Sequence, residues 1–237
     1  MEGAYERGRY SFTNFLGLAE RSDYLEELAG NSYLPTAFFG GMPDCERVML
    51  RVGSPETLGY EESWPIRLVE VTPKNKKFSD ELTHRDFLGA IMSLGIERDR
   101  TGDILIDGKS AYVACVPDIA PYLAENLISV RHTAVLCQIT ECPAHLTTPK
   151  LEEHTASVAS LRVDSVIAAV FRLSRQGAQN AVSAGYVFVN GRQVLSADRL
   201  LKEDDIVSLR HQGKFICRGQ AARSRKGRCI VRYALYL

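Results

Sequence analysis

The chain has 237 residues with 29 basic and 29 acidic side chains, a formal net charge of zero, 45% hydrophobic and 24% charged residues. That usage fits a globular chain of one large or two to three small domains and excludes disordered and collagen-like classes. No stretch approaches the ~18 consecutive apolar residues of a spanning helix. The first residues mix both charge signs without an apolar run, so the expectation is a cytosolic protein with no leader and no membrane contact.

The first segment, 1–63, reads as helical at its start, with Phe12, Phe15, Leu16, Leu18 and Ala19 followed by Tyr24, Leu25 and Leu28. Gly30-Asn31 is its expected stop. After the turn-rich Phe39-Gly-Gly-Met-Pro-Asp, the run Glu46–Val52 alternates like a strand, and Gly53, Pro55 and Gly59 break it. Gly40-Gly41 lacks the spaced glycines of a nucleotide loop.

The second segment, 64–142, alternates strand and helix signals. Ile66–Val71 is a β-branched strand. Residues 79–94 predict a helix with Ser79 as cap, Asp80 and Glu81 in the first turn and Gly95 as stop. Asp103–Ile106 and Ala111–Val116 flank Asp107-Gly108, a hairpin signal. Pro117 opens a second helix, and His132–Ile139 closes with a strand. This β-α-β-β-α-β order is ferredoxin-like. The first strand carries no aromatic residue and the third only Tyr112, so the stacking pairs of an RNA-recognition motif are absent. His84-Arg85-Asp86 matches the start of a kinase catalytic loop, but no glycine-rich loop or D-F-G accompanies it. A bracing role at the helix start is favoured over RNA contact for this cluster.

A polar linker, 143–156, leads to the third segment, 157–237. Val163, Val166, Ile167 and Val170 fall on one helix face. A second helix starts at Ser174 and ends at Gly185, with Ala178, Ala181 and Val182 small enough for close packing. Tyr186–Val189 runs into the hairpin signal Asn190-Gly191, and Ile206–Arg210 forms a further strand. Residues 1–150 carry 15 basic and 22 acidic side chains, whereas 151–237 carry 14 and 7. A basic end on an acidic body is the charge pattern of an attached nucleic-acid-binding module, or else of a solvated charged face. Six cysteines show no C-x-x-C pair, so neither a metal nor a disulfide framework is expected, and most thiols read as core residues.

Four blocks, Ser160-Leu-Arg-Val-Asp, Leu173-Ser-Arg-Gln-Gly-Ala, Gly185-Tyr-Val-Phe-Val-Asn-Gly and Asp205-Ile-Val-Ser, resemble the S4-type RNA-binding domain. Val163 departs from its usual leucine, an apolar exchange. Arg162 begins one helix, and Ser174-Arg175 begins the next, where free N–H groups and the dipole favour phosphate. Leu82-Thr-His-Arg-Asp-Phe-Leu-Gly-Ala-Ile-Met-Ser-Leu-Gly-Ile-Glu-Arg-Asp-Arg-Thr-Gly-Asp-Ile and Phe38-Phe-Gly-Gly-Met-Pro-Asp-Cys-Glu-Arg resemble the YlmH family over nearly the whole chain.

The resemblance implies an α+β chain: a small N-terminal α/β segment, a ferredoxin-like middle domain and a C-terminal S4-type α-α-β domain with a basic extension. It further implies a non-enzymatic bacterial factor of ribosome-associated quality control with no cofactor and no small-molecule substrate. Its expected partners are large-subunit ribosomal RNA, peptidyl-tRNA and a nascent-chain tailing factor that adds alanines. An RNA-modifying enzyme and a division-associated scaffold are the alternatives. The candidate RNA-contacting residues are Ser160, Arg162, Ser174, Arg175, Gln176, Gln179, Asn190, Arg192, Arg210, Lys214, Arg223, Arg225 and Lys226. His84, Arg85, Arg98 and Arg100 are possible contacts from the middle domain, and no residue is assigned to catalysis or metal.

Overall fold

The computed structural model describes residues 2–29, 33–43, 45–77, 79–144, 146, 151–223 and 227–236. It divides into two compact units, Met1–Thr148 and Pro149–Leu237, each with its own core. In the first unit, α1 (Glu2–Tyr5) and β1 (Ser11–Phe12) precede α2 (Leu18–Ala29). The expectation of a helix beginning near Phe12 is corrected. Phe12 lies in a strand, Phe15 is fully buried and Leu16 bridges to Val48. Helix α2 starts only after Gly17, whose N–H donates to the Glu20 carboxylate at 2.7 Å. β2 (Thr36–Phe39) and β3 (Met49–Val52) complete the antiparallel sheet β1-β3-β2, and α3 (Pro55–Leu58) follows.

β4 (Arg67–Pro73), α4 (His84–Ser93), β5 (Thr101–Asp107), β6 (Ser110–Cys115), α5 (Ile119–Asn126), the two-residue β7 (Ser129–Val130) and β8 (Thr133–Thr140) then follow. Their sheet order is β5-β6-β4-β8-β7 with every pairing antiparallel, the ferredoxin-like arrangement with one short strand added at an edge. Helix α4 begins five residues later than Ser79 because Thr83, not Ser79, caps it. The Asp86 carboxylate accepts from the Thr83 N–H and hydroxyl, both at 2.8 Å, while Asp80 N–H donates to Thr133 in the preceding loop.

The two faces of this sheet are covered differently. On one, Phe87 and Ile91 of α4 and Ala120 and Leu123 of α5 pack on Val69, Val71 and Val113. On the other, Phe15, Met42 and Met49 pack on Leu68, Tyr112 and Ala114. All six residues of β6 are therefore buried, a pattern of strands covered on both sides. The segment 1–63, expected as a domain of its own, shares this core and belongs to one unit with the sheet. Its seating needs a glycine: a Cβ on Gly102 would lie 2.6 Å from Phe15 Cε1 and 2.9 Å from the Ala114 Cβ.

In the second unit, β9 (Leu151–Val158) pairs with the last strand, so residues 151–156 of the expected linker are strand instead. Its polar Glu152-Glu153-His154-Thr155 run disguised it; the strand lies at a sheet edge, where one face stays in water. Helices α6 (Val163–Val170) and α7 (Arg175–Ser183) match their expected positions. β10 (Val187–Val189), β11 (Arg192–Gln193), β12 (Ile206–Leu209), β13 (Gly213–Arg223) and β14 (Cys229–Tyr236) complete the antiparallel order β11-β10-β12-β13-β14-β9. Val163, Val166, Ile167, Ala178 and Val182 of the helices close over Val187, Val207, Phe215 and Val231. Of the basic extension, Arg218 and Arg223 lie on β13. Arg218 is ion-paired to Glu153 at 3.5 Å and Asp204 at 2.7 Å.

Candidate nucleic-acid interface

The start of the α6–α7 pair is organised around one buried carboxylate. Asp164, in the first turn of α6, is 0% exposed and accepts from Arg162 Nε and Nη2, both at 3.1 Å. Gln179 Nε2 of α7 donates to the same carboxylate at 3.4 Å, and Ser165 Oγ lies at 3.4 Å. Burial pushes the Asp164 carboxyl up, but the Arg162 fork and Gln179 outweigh it and hold the group below the usual carboxylate range. Arg162, an expected RNA contact, does not stand alone at the helix start. It is clamped in a bidentate fork, with its third nitrogen outside the fork and about a third of its side chain exposed.

Ser174 caps α7, its Oγ accepting the Gly177 N–H at 2.9 Å. Arg175 is the first helical residue and stands one turn before Gln179, on the same face. Helical register and the shared carboxylate thus bring Arg162, Arg175 and Gln179 together. No acidic residue sits in the first turn of α7. The single acidic residue in that of α6 is Asp164, already engaged with Arg162. Ser160 leads into α6, and Gln176 is turned along its own helix, donating to Asn180 at 2.9 Å.

A second group lies on the outer face of the sheet, away from the helices. Phe188, Ser208 and Lys214 occupy paired positions there. The Arg210 guanidinium stands 5.0 Å over the Phe188 ring, and Lys214 Nζ stands 4.2 Å over Tyr236. Burial lowers Lys214 to about 8. Phe188 and Tyr236 were not among the expected contacts; for Phe188 the alternation of burial along Val187–Val189 was the available signal. Asn190 is spent on structure. At φ 51° it forms the turn with Gly191, donates to Asp205 at 2.8 Å and accepts the Ile206 N–H at 2.9 Å. Arg192 sits on β11 beyond that turn and Arg223 at the exposed end of β13, while Arg225 and Lys226 lie outside the described residues.

Of the expected contacts in the first unit, Arg98 is turned to the backbone and Arg100 to a neighbouring carboxylate. Arg98 Nη1 donates to the carbonyls of Thr101 and Gly102, both at 3.0 Å, and to the Thr101 hydroxyl at 2.8 Å. Arg47, from the segment 1–63, reaches the carbonyls of Thr101, Phe15 and Arg98 at 2.9–3.1 Å. The Asp103 carboxylate receives the Glu46 N–H at 2.5 Å. Burial raises the Asp103 carboxyl and lowers both arginines, Arg98 to about 10. Partial burial, then the Arg98 charge, lowers His84. Arg100 is paired with Asp118. The charged block 97–103 therefore seats the N-terminal segment on the sheet. Of the four candidates, His84 and Arg85 are the exposed ones.

Among the described residues no group of three or more His, Cys, Asp and Glu is placed to hold a metal ion, and no helix is long and apolar enough to cross a membrane. Burial raises the Cys115 thiol to about 12 and Cys137 to about 11, which makes both poor nucleophiles.

Two family models match the chain: the putative RNA-binding domain in YlmH over residues 60–144, and the S4 domain over 161–207. The ribosome-associated protein quality control protein P2 of Bacillus subtilis (strain 168) is 30% identical over 213 residues, 88% of this chain and 80% of that protein. Among solved structures, the cell division protein ylmH from Streptococcus pneumoniae matches at 22% identity and TM-score 0.45, covering 59% of this chain and 83% of that one. With both domains present in order and a relative aligned along most of both chains, the protein belongs to the YlmH family.

Proposed function

We propose that the chain is a non-catalytic RNA-binding factor of the large ribosomal subunit, acting in the cytoplasm in ribosome-associated quality control. It binds ribosomal RNA together with a stranded peptidyl-tRNA and steadies that tRNA while a partner factor adds alanines to the nascent chain. The observation that carries the reading is the Arg162 fork held by buried Asp164 beside the start of α7. A prearranged guanidinium next to helix N–H groups grips phosphate oxygens with little ordering left to do on binding. The excess of basic over acidic side chains in 151–237, 14 against 7, supplies long-range attraction to RNA. The S4 match over 161–207 and the quality-control role named for the Bacillus relative support the same assignment.

Sucrose-gradient sedimentation with purified large subunits, with and without peptidyl-tRNA, tests it. Wild-type protein should co-sediment, more strongly when peptidyl-tRNA is present, and should dissociate steeply as salt rises. Arg175→Glu should lose co-sedimentation with an unchanged melting temperature. Equal binding by that variant, or a salt-independent association, overturns the reading.

A further inference from the structure

We propose a second RNA-backbone site on the helical side of the first unit, formed by Arg85 of α4 and Arg131 of the β7–β8 turn. This rests on the reading that the chain binds RNA. The two arginines line a concavity of about 400 Å³ together with Gly89, Ser93 and Ser129. Arg85, Gly89 and Ser93 recur every four residues, so they form one outward stripe of α4. A Cβ added to Gly89 would meet nothing within 4 Å, so the space above it is open to an approaching backbone. The carboxylate in the concavity, Asp86, is already engaged. It accepts two bonds from Thr83 and faces Arg131 Nε at 3.7 Å, which aims that side chain while leaving it 56% exposed.

Two residue choices here are locally unfavourable and converge on one spot. Arg131 occupies φ 52°, a left-handed conformation suited to glycine or asparagine. Arg85 puts a cation in the first turn of a helix, against the dipole. Local rules are broken in this way where side chains serve binding rather than folding. The ligand is a phosphodiester chain. Two guanidinium forks suit successive phosphates, and the site is an open shelf that would leave a small anion in water. On the opposite face of the sheet, which stacks bases in RNA-recognition motifs, Phe15, Met42 and Met49 close over Leu68, Tyr112 and Ala114, while Leu136 of β8 stays exposed. The concavity lies on the helical side, and the match to the YlmH RNA-binding domain over 60–144 contains both arginines.

The test uses the full chain, purified large subunits and a salt series. Arg85→Gln with Arg131→Gly should weaken subunit binding about tenfold and lower the salt slope by one to two, since about one counterion is released per phosphate contact. The melting temperature should stay level or rise, because glycine relieves the backbone at 131. Unchanged affinity in this variant, with binding lost in Arg175→Glu, overturns the second site and leaves the first intact. Loss of binding in neither variant overturns the proposed function itself. A lowered melting temperature from Arg131→Gly assigns Arg131 to folding and overturns the site. So does stabilisation of the wild type by inorganic phosphate that the double variant lacks while still binding subunits, since the pocket would then hold a free anion.

Discussion

Asp164→Asn should unseat the interface without touching RNA. The substitution keeps the volume but removes the charge that holds two Arg162 bonds at 3.1 Å and one from Gln179 at 3.4 Å. Removing one partner of a buried pair costs about 3–5 kcal/mol. Arg162 can turn partly to water, since its side chain is 36% exposed, which brings the expectation for Asp164 to about 2–3 kcal/mol. For a unit of this size that lowers the melting temperature by about 10–20 °C. The assay can separate the units, because the single tryptophan, Trp64, lies in the first. Trp64 fluorescence should report an unchanged transition, while calorimetry shows the transition of residues 149–237 moving down. Subunit affinity should fall as well, since Arg162 loses its aim. A calorimetric shift under about 3 °C, equivalent to roughly 0.5 kcal/mol, would refute the argument that this carboxylate organises the helix pair. The same group sets a pH dependence. Its folded value is depressed, so its contribution is full at neutral pH and is lost as pH falls from the unfolded carboxylate value, about 3.9, down through the folded one.

Gly102→Ala should destabilise the first unit by about 1–3 kcal/mol, because the new methyl meets the Phe15 ring at 2.6 Å and the Ala114 methyl at 2.9 Å. Trp64 fluorescence during urea unfolding measures it, and a neutral result would mean the N-terminal segment shifts freely on the sheet. Lys214, lowered by burial to about 8, should make RNA affinity fall as pH rises through that value, and Lys214→Arg should flatten the profile. The sign for stability is opposite. The charged lysine is disfavoured in the fold, so stability should rise between pH 8 and the unfolded value of about 10.4, measurable by thermal melts across that window.

The parts of the fold legible from the sequence were those with an apolar period and a turn signal. The strands around Asp107-Gly108, α6 through Val163, Val166, Ile167 and Val170, and the Asn190-Gly191 turn all stand where the pattern put them. Edge strand β9 stayed hidden because its solvent face is polar, and Phe12 and Phe15 suggested helix because their tertiary partners are distant in sequence. The site was legible as charge and helix starts, not as connectivity. Nothing in Arg98 or Arg100 announces that one turns to backbone carbonyls and the other to Asp118, and nothing in Arg162 announces that its partner Asp164 is fully buried. Arg131 drew no notice because its distinction is a backbone angle, which a single letter does not carry.

The double covering of β6 shapes how the chain is made. Phe15 closes on Ala114, Asn14 donates to Asp99 and Arg47 spans to Thr101, so the first unit is built from partners far apart along the polypeptide. At about 5–20 residues per second, Phe15 leaves the synthesising ribosome roughly 5–20 s before the strand it must cover. High contact order of this kind slows the closing step as well. Through that interval its apolar segment has no core to enter, and the ordered first unit forms only after β6 has emerged.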